Sequence, residues 1–391
     1  MDIKNLISKN QIGFKEKSRT ADHIFTLKTI TDQYRQKKKK VFAAFIDLKK
    51  AFDTVWRLGL FSKLIKHNIP QKMFNVIYSM YTDTVSRIKF SNGLSPPFLS
   101  ERGVKQGDVL SPLLFNYFIN NLVGNLDNKH TDPVAIGDTS LNILLYADDI
   151  VLLSESKEGL QKSLDILHEY CSTWKLQVNT DKSKIMIFNS NGKTLLNHFT
   201  YDNAYLETVT NYCYLGIVLK YNGNFCLAVN SLMEKARKAY YKIKKTIGLN
   251  NPCRLLEKLF DCLVTPILTY CSEIWGVDSH FKDSDPFEKL HVKFIKDILG
   301  VHCKASNDGC RAELNRIPLK NKILYSIFNY LNHIVSSENS LAYDIFTKSV
   351  DSNPWVIKVK SLLNELGMSY IINNFNYVKG NLNSIKQKIN D

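Results

Sequence analysis

Asn142-Ile143-Leu144-Leu145-Tyr146-Ala147-Asp148-Asp149-Ile150-Val151-Leu152-Leu153 decides how the rest of this 391-residue chain is read. Two apolar runs of strand length meet at a short polar tip, the pattern of a β-hairpin. The tip carries two adjacent carboxylates beside strands apolar enough to be buried. Like charges this close raise one another's pKa unless a cation neutralises them. Hard carboxylate oxygens suit Mg2+. An isolated Asp-Asp pair is as readily a solvated turn, since turns use Asp freely. Two further segments add the weight.

The first is Val41-Phe42-Ala43-Ala44-Phe45-Ile46-Asp47, an apolar run of strand length ending in a carboxylate. Alternation along a strand puts Val41, Ala43, Phe45 and Asp47 on one side. From Asp53 to His67 the spacing turns helical, with Val55, Leu58, Leu64 and Ile65 apolar and Pro70 ending the run. A carboxylate at the end of a buried strand can share a metal with a neighbouring strand, so Asp47 and Asp148 are expected to share one or two Mg2+ ions. Such sites carry out in-line phosphoryl displacement. The second segment runs from Arg102 to Asn116 and opens as a polar loop punctuated by Gly103 and Gly107. It then enters a helix for which Ser111 is the expected cap and Pro112 the first residue.

Taken in order, Phe-Ile-Asp-x-x-x-Ala-Phe-Asp ending at Asp53, Arg-Gly-Val-x-Gln-Gly-Asp-x-Leu-Ser-Pro-Leu-Leu-Phe-Asn ending at Asn116 and Tyr-Ala-Asp-Asp ending at Asp149 resemble a reverse transcriptase. The resemblance is to the non-LTR (LINE-type, jockey-like) retrotransposon class. It continues through Trp174–Lys184, similar to the next palm motif, and through Tyr214-Leu215-Gly216-Ile217, similar to the primer grip. Tyr270-Cys271-Ser272-Glu273-Ile274-Trp275-Gly276 also matches a stretch common in such polyproteins.

The resemblance implies an α+β right-hand polymerase: partial fingers over 1–36, a palm with the primer grip over 37–222, and a helical thumb over 223–300. A helical region of unknown role follows over 301–391. It implies RNA-directed DNA synthesis with an RNA template, a DNA primer, dNTPs and Mg2+. Asp47, Asp148 and Asp149 stand at the family's metal-binding positions. Phe52 stands at the steric gate that collides with a ribose 2′-OH, the group that separates RNA from DNA; a core aromatic is the other reading. Gln106 and Arg102 fall where nucleotide or template is contacted, and Lys182 where a general acid meets the leaving pyrophosphate. The chain opens at a point that follows the fingers strands in relatives, which implies truncation at the N-terminus. A non-catalytic nucleic-acid-binding remnant therefore stays open as the alternative.

Net charge is +15, which suits a phosphate-bearing partner. Lys235, Arg237, Lys238 and Lys242 with Tyr241 form a basic, aromatic-bearing helical stretch suited to a duplex backbone, or else an ordinary charged helix face. Val85–Phe90 and Phe98–Arg102 read as a hairpin around Asn92-Gly93, and the turn-rich Asn189–Lys193 separates palm from primer grip. From Leu227 the pattern is almost wholly helical, with Leu255–Tyr270, Phe287–Leu299 and Leu319–Ile334 as named helices. The eight cysteines show no Cys-x-x-Cys spacing, which points to reduced thiols inside a cell. No apolar run approaches the roughly 20 residues that span a bilayer.

Overall fold

The computed structural model describes residues 3–127, 129, 131–189, 198–249 and 251–390. The chain forms two compact units, Met1–Thr20 with Tyr34–Tyr212 and Ala21–Gln33 with Cys213–Asp391. The fold is α+β, with the main sheet in the first unit and helices dominating the second.

The first unit is built on a six-stranded sheet. Its spatial order is Phe199–Tyr201, Ala204–Thr208, Lys184–Phe188, Val41–Ile46, Asp149–Ser154, Ile143–Tyr146. Neighbours run antiparallel except Lys184–Phe188 beside Ala204–Thr208. The apolar run Val41–Ile46 is buried throughout and paired on both sides, as its composition predicts. Phe42, Ala44 and Ile46 face a core shared with Leu60, Leu114, Phe118 and Leu164. These come from the helices Arg57–Lys66, Ser111–Ile119 and Lys157–Trp174. The alternate residues are buried too, and Phe45 stacks on Tyr212 with ring centroids 4.5 Å apart.

Several expected elements differ in detail. The helix expected from Asp53 to His67 is two helices, Ala51–Thr54 and Arg57–Lys66. The break falls at Val55-Trp56, where both residues turn extended and the Val55 carbonyl accepts the Gly103 N–H instead of a helical one. Ser111 does not cap its helix. It is the first helical residue, and its hydroxyl meets the Tyr81 hydroxyl at 3.1 Å while the Asp108 carboxylate accepts the Leu110 N–H. The hairpin after Val85 closes through Ser91-Asn92, with Phe90 opposite Gly93, and pairs again at Val85–Leu99. Leu255–Tyr270 is Cys253–Leu263 followed by Thr265–Leu268, divided just before Pro266, which has no N–H to give. Within Asn189–Lys193, residues 190–193 lie outside the described residues.

The second unit is held by aromatic packing and by ion pairs. Residues 21–33 belong to the helix Thr20–Gln36 and group with the C-terminal helices. Phe25 makes edge contacts with Trp355 and Tyr330, and Thr29 accepts the Asn353 amide at 2.9 Å. Farther along, Phe260 stacks on Phe294 at 4.1 Å. Glu288 and His291, both fully buried, are tied to Arg311 and Arg316. Burying charge is costly unless it is paired, and this network pairs it.

Lys63 is a buried lysine of the first unit's core. Its Nζ donates to Asn121 Oδ1 at 2.6 Å, to the Tyr170 hydroxyl and to the Phe118 carbonyl, 3.5 Å from the Trp174 ring centroid. Burial pushes its pKa down to about 6. Between that value and the ordinary lysine value of about 10.4, unfolding takes up a proton, so stability rises with pH across the window. Below about 6 both states are protonated and the contribution is gone. Urea unfolding at a series of pH values should show this slope in the parent and a flatter one in Lys63→Met.

Candidate active site

The site grows from one backbone register. Val41–Ile46 pairs antiparallel with Asp149–Ser154, and Ile46 lies opposite Ile150. Asp47 follows Ile46 and Asp149 precedes Ile150, so both carboxylates stand at the same end of the pair, near enough for the Asp47 charge to raise the Asp149 pKa. Tyr146 pairs with Asp149, which leaves Ala147-Asp148 as the two-residue hairpin loop. The three carboxylates expected from the sequence are therefore brought together at one end of the sheet.

Their electrostatics carries the mark of that crowding. Burial first, and then the charges of Asp148 and Asp47, push Asp149 up to about 6. Burial also raises Asp148, with the Asp47 charge adding to it and a hydrogen bond from Asp148's own backbone opposing it. Among the described residues no three His, Cys, Asp or Glu side chains close into a preformed metal cage. The carboxylates are nonetheless near enough to oppose one another's ionisation, and a hard divalent cation relieves that opposition. The donor set fits Mg2+.

Asp47 is held from the side away from Asp149 by the turn that follows Val178. Its N–H donates to the Ser183 hydroxyl at 3.1 Å, and its carbonyl accepts the Asn179 N–H at 2.8 Å. Lys49 N–H donates to the Gln177 carbonyl, and Leu48 bridges to Val178. Lys182 sits in that turn, next to Ser183, with an exposed side chain.

The glycine-punctuated loop packs on the short helix Ala51–Thr54. Gly103 N–H donates to Val55, Val104 N–H donates to Phe52, and the Gln106 amide donates to the Asp53 carboxylate at 2.8 Å. Gly103 has φ +82°, and a Cβ there would lie 2.7 Å from the Asp53 carbonyl oxygen, so no side chain fits. Phe52 is half-buried, stacked on Phe115 at 4.7 Å with Phe14 edge-on. The Arg102 side chain is exposed, and its carbonyl accepts from Arg57.

The basic stretch lies in the second unit, on the helix Cys226–Ile247. Lys235, Lys238 and Lys242 are exposed at helical spacing beside exposed Arg237 and Tyr241. Arg237 pairs with Glu234, and Tyr241 accepts from Lys293. In the same unit the Tyr270 hydroxyl donates to the Leu215 carbonyl at 2.8 Å, which joins two of the stretches quoted above.

Residues 1–219, more than half of the chain, match the family model described as "Reverse transcriptase (RNA-dependent DNA polymerase)". The chain belongs to the reverse transcriptase family. Curated relatives of this reverse transcriptase include the RNA-directed DNA polymerase from mobile element jockey of Drosophila funebris, 25% identical over 87% of the chain and 37% of that protein. The probable RNA-directed DNA polymerase from transposon BS of Drosophila melanogaster is 29% identical over 71% of the chain and 31% of its own length. The chain thus spans well under half of these relatives. Among solved structures, apo telomerase from Candida tropicalis aligns with 91% of the chain and 59% of its own at 14% identity and a TM-score of 0.43. No helix among the described residues is long and apolar enough to cross a membrane.

Sequence reasoning passed over three residues that build this site. Ser183 sits inside a quoted motif, yet nothing marks its hydroxyl as the acceptor for Asp47. Gln11 is fully buried against Ala147. Arg57 is buried, and its guanidinium donates to the carbonyls of Gly103, Tyr81, Ser100 and Arg102. A lone Arg in a helical run gives no sign that it gathers a distant loop. Arg57→Met leaves those carbonyls without their donor and should cost about 2–4 kcal/mol. Urea denaturation reads the loss, and faster amide exchange over residues 100–107 should localise it.

Proposed function

We propose that this chain is the polymerase portion of a non-LTR retrotransposon reverse transcriptase, copying RNA into DNA from dNTPs at a primer 3′-OH. The carrying observation is the register that ends with Ile46 opposite Ile150 and so gathers Asp47, Asp148 and Asp149 at one end of the sheet, in a member of this family. The six-stranded sheet is the palm of a right-hand polymerase. Residues 1–36 contribute partial fingers, 37–222 the palm and primer grip, and 223–300 a helical thumb.

Asp47, Asp148 and Asp149 would hold Mg2+, which when bound supplies Lewis-acid stabilisation of the attacking and leaving oxygens. Partial burial of Asp148 and Asp149 strengthens the charge interactions there. Phe52, fixed by its stack on Phe115, presents a rigid ring that rejects a 2′-OH by shape. Gln106 and Arg102, on the loop tied to the Phe52 helix, contact nucleotide or template. Lys182 gives a proton toward the departing pyrophosphate. Lys235, Arg237, Lys238, Tyr241 and Lys242 track the backbone of the template–primer duplex.

Asp148→Asn should abolish extension of a DNA primer on an RNA template while leaving duplex binding, read by filter retention, unchanged. Equal extension by variant and parent would remove Asp148 from the metal site. Phe52→Val should raise ribonucleotide incorporation relative to dNTPs by at least about tenfold, the scale of a lost steric exclusion. Unchanged discrimination in competition assays would return Phe52 to a purely core role.

A further inference from the structure

The Ala147-Asp148 loop is strained in a specific way. Ala147 has φ +53° and Asp148 does not lie in that region. In a two-residue hairpin loop a positive φ at the first position is where glycine is favoured, and any other residue costs energy there. Something must hold Ala147 in place.

The segment Asn10–Gly13 supplies the hold. It lies along the edge strand Ile143–Tyr146, with Leu145 N–H donating to Asn10 at 2.8 Å and Ile12 N–H donating to Leu145 at 3.0 Å. From this segment the Gln11 side chain, 0% exposed, turns onto the loop. Its Oε1 accepts the Ala147 N–H at 2.9 Å, and its Nε2 donates toward the Ala147 carbonyl at 3.3 Å. One amide thus closes on both backbone groups of the residue at positive φ. Gln11 Oε1 also accepts the Gly13 N–H at 2.9 Å, which fixes the amide's orientation. Gly13 is packed so tightly that a Cβ would lie 2.3 Å from the Ala147 nitrogen. The Gly13 carbonyl in turn accepts the buried Asn116 amide at 2.5 Å.

We propose that Gln11 is a positioning residue for polymerisation, clamping Ala147 at positive φ so that Asp148 projects from a single backbone conformation. The inference rests on the polymerase reading above. Catalysis falls steeply when reacting groups are misplaced by even about 1 Å. A loop free to relax to negative φ at Ala147 swings the Asp148 Cα–Cβ bond and separates it from Asp47 and Asp149. Replacing Ala147 by glycine removes the strain that the clamp opposes. The two positions are therefore coupled, and a double-mutant cycle isolates that coupling.

The test uses the full chain, with amide exchange over residues 143–150 and steady-state primer extension measured side by side. In the parent, the Ala147 amide should be protected; rapid exchange there overturns the clamp without any variant. Gln11→Met should expose that amide and lower kcat by about tenfold or more while the KM for dNTP stays within about twofold. Ala147→Gly placed on Gln11→Met should recover a good part of kcat, which a merely destabilised fold would not do. Unchanged kcat with an exposed Ala147 amide rejects the positioning role and leaves the polymerase reading intact. A protected amide in a parent that extends no primer rejects the polymerase reading and leaves the clamp standing.

Discussion

Antiparallel pairing of Val41–Ile46 with Asp149–Ser154 is the constraint on which the site depends. Side chains alternate along a strand, so a slip of one residue would turn Asp47 away from Asp149 and bring the core residues Phe42, Ala44 and Ile46 out of their layer. The slip is blocked from both edges. Val41–Ile46 is simultaneously in register with Lys184–Phe188, and Asp149–Ser154 is pinned by its two-residue loop to Ile143–Tyr146. Apolar burial on both faces thus supplies the rigidity that holds three repelling carboxylates together. The raised pKa of Asp149 reflects burial first and the neighbouring carboxylates second.

Around that frame, positions far apart in sequence are joined mainly through the backbone. The turn bearing Lys182 reaches Asp47 by the Asn179 N–H, and the loop bearing Gln106 reaches the Phe52 helix by the Gly103 and Val104 N–H groups. Arg57 gathers the same loop by its carbonyls. Contacts of this kind tolerate change of the side chains they carry.

The legible features were those written into local pattern. The apolar run before Asp47, the hairpin around Asp148 and the helices Pro286–Leu299 and Leu319–Val335 follow from periodicity and breakers. The interruption at Val55-Trp56 was hidden, because the bond to Gly103 that makes it worthwhile comes from a residue far along the chain. Ser111 looked like a cap because Ser is a favoured capping residue and Pro112 suits the first helical position, but its hydroxyl meets Tyr81 from inside the helix, and the N-cap Leu110 has no side-chain cap bond. Lys63, Arg57 and Gln11 were illegible for one shared reason. A polar side chain on an element reads as solvated unless its buried partners are known, and those partners lie in other segments.

The helical unit is discontinuous in sequence. Its first contribution, residues 21–33, is made near the start of the chain, while the partners of Phe25 and Thr29 arrive at Tyr330, Asn353 and Trp355. A ribosome making this protein releases that early helix long before its apolar seat exists. Phe25, Ile24 and Leu27, all buried in the finished fold, must wait unburied until residues 330–355 have been made. Vectorial synthesis therefore cannot finish the helical half until those residues have emerged. An expression boundary drawn after the hairpin that ends at Lys220 would leave the helical half with an empty hydrophobic slot and the sheet half with an orphaned greasy helix.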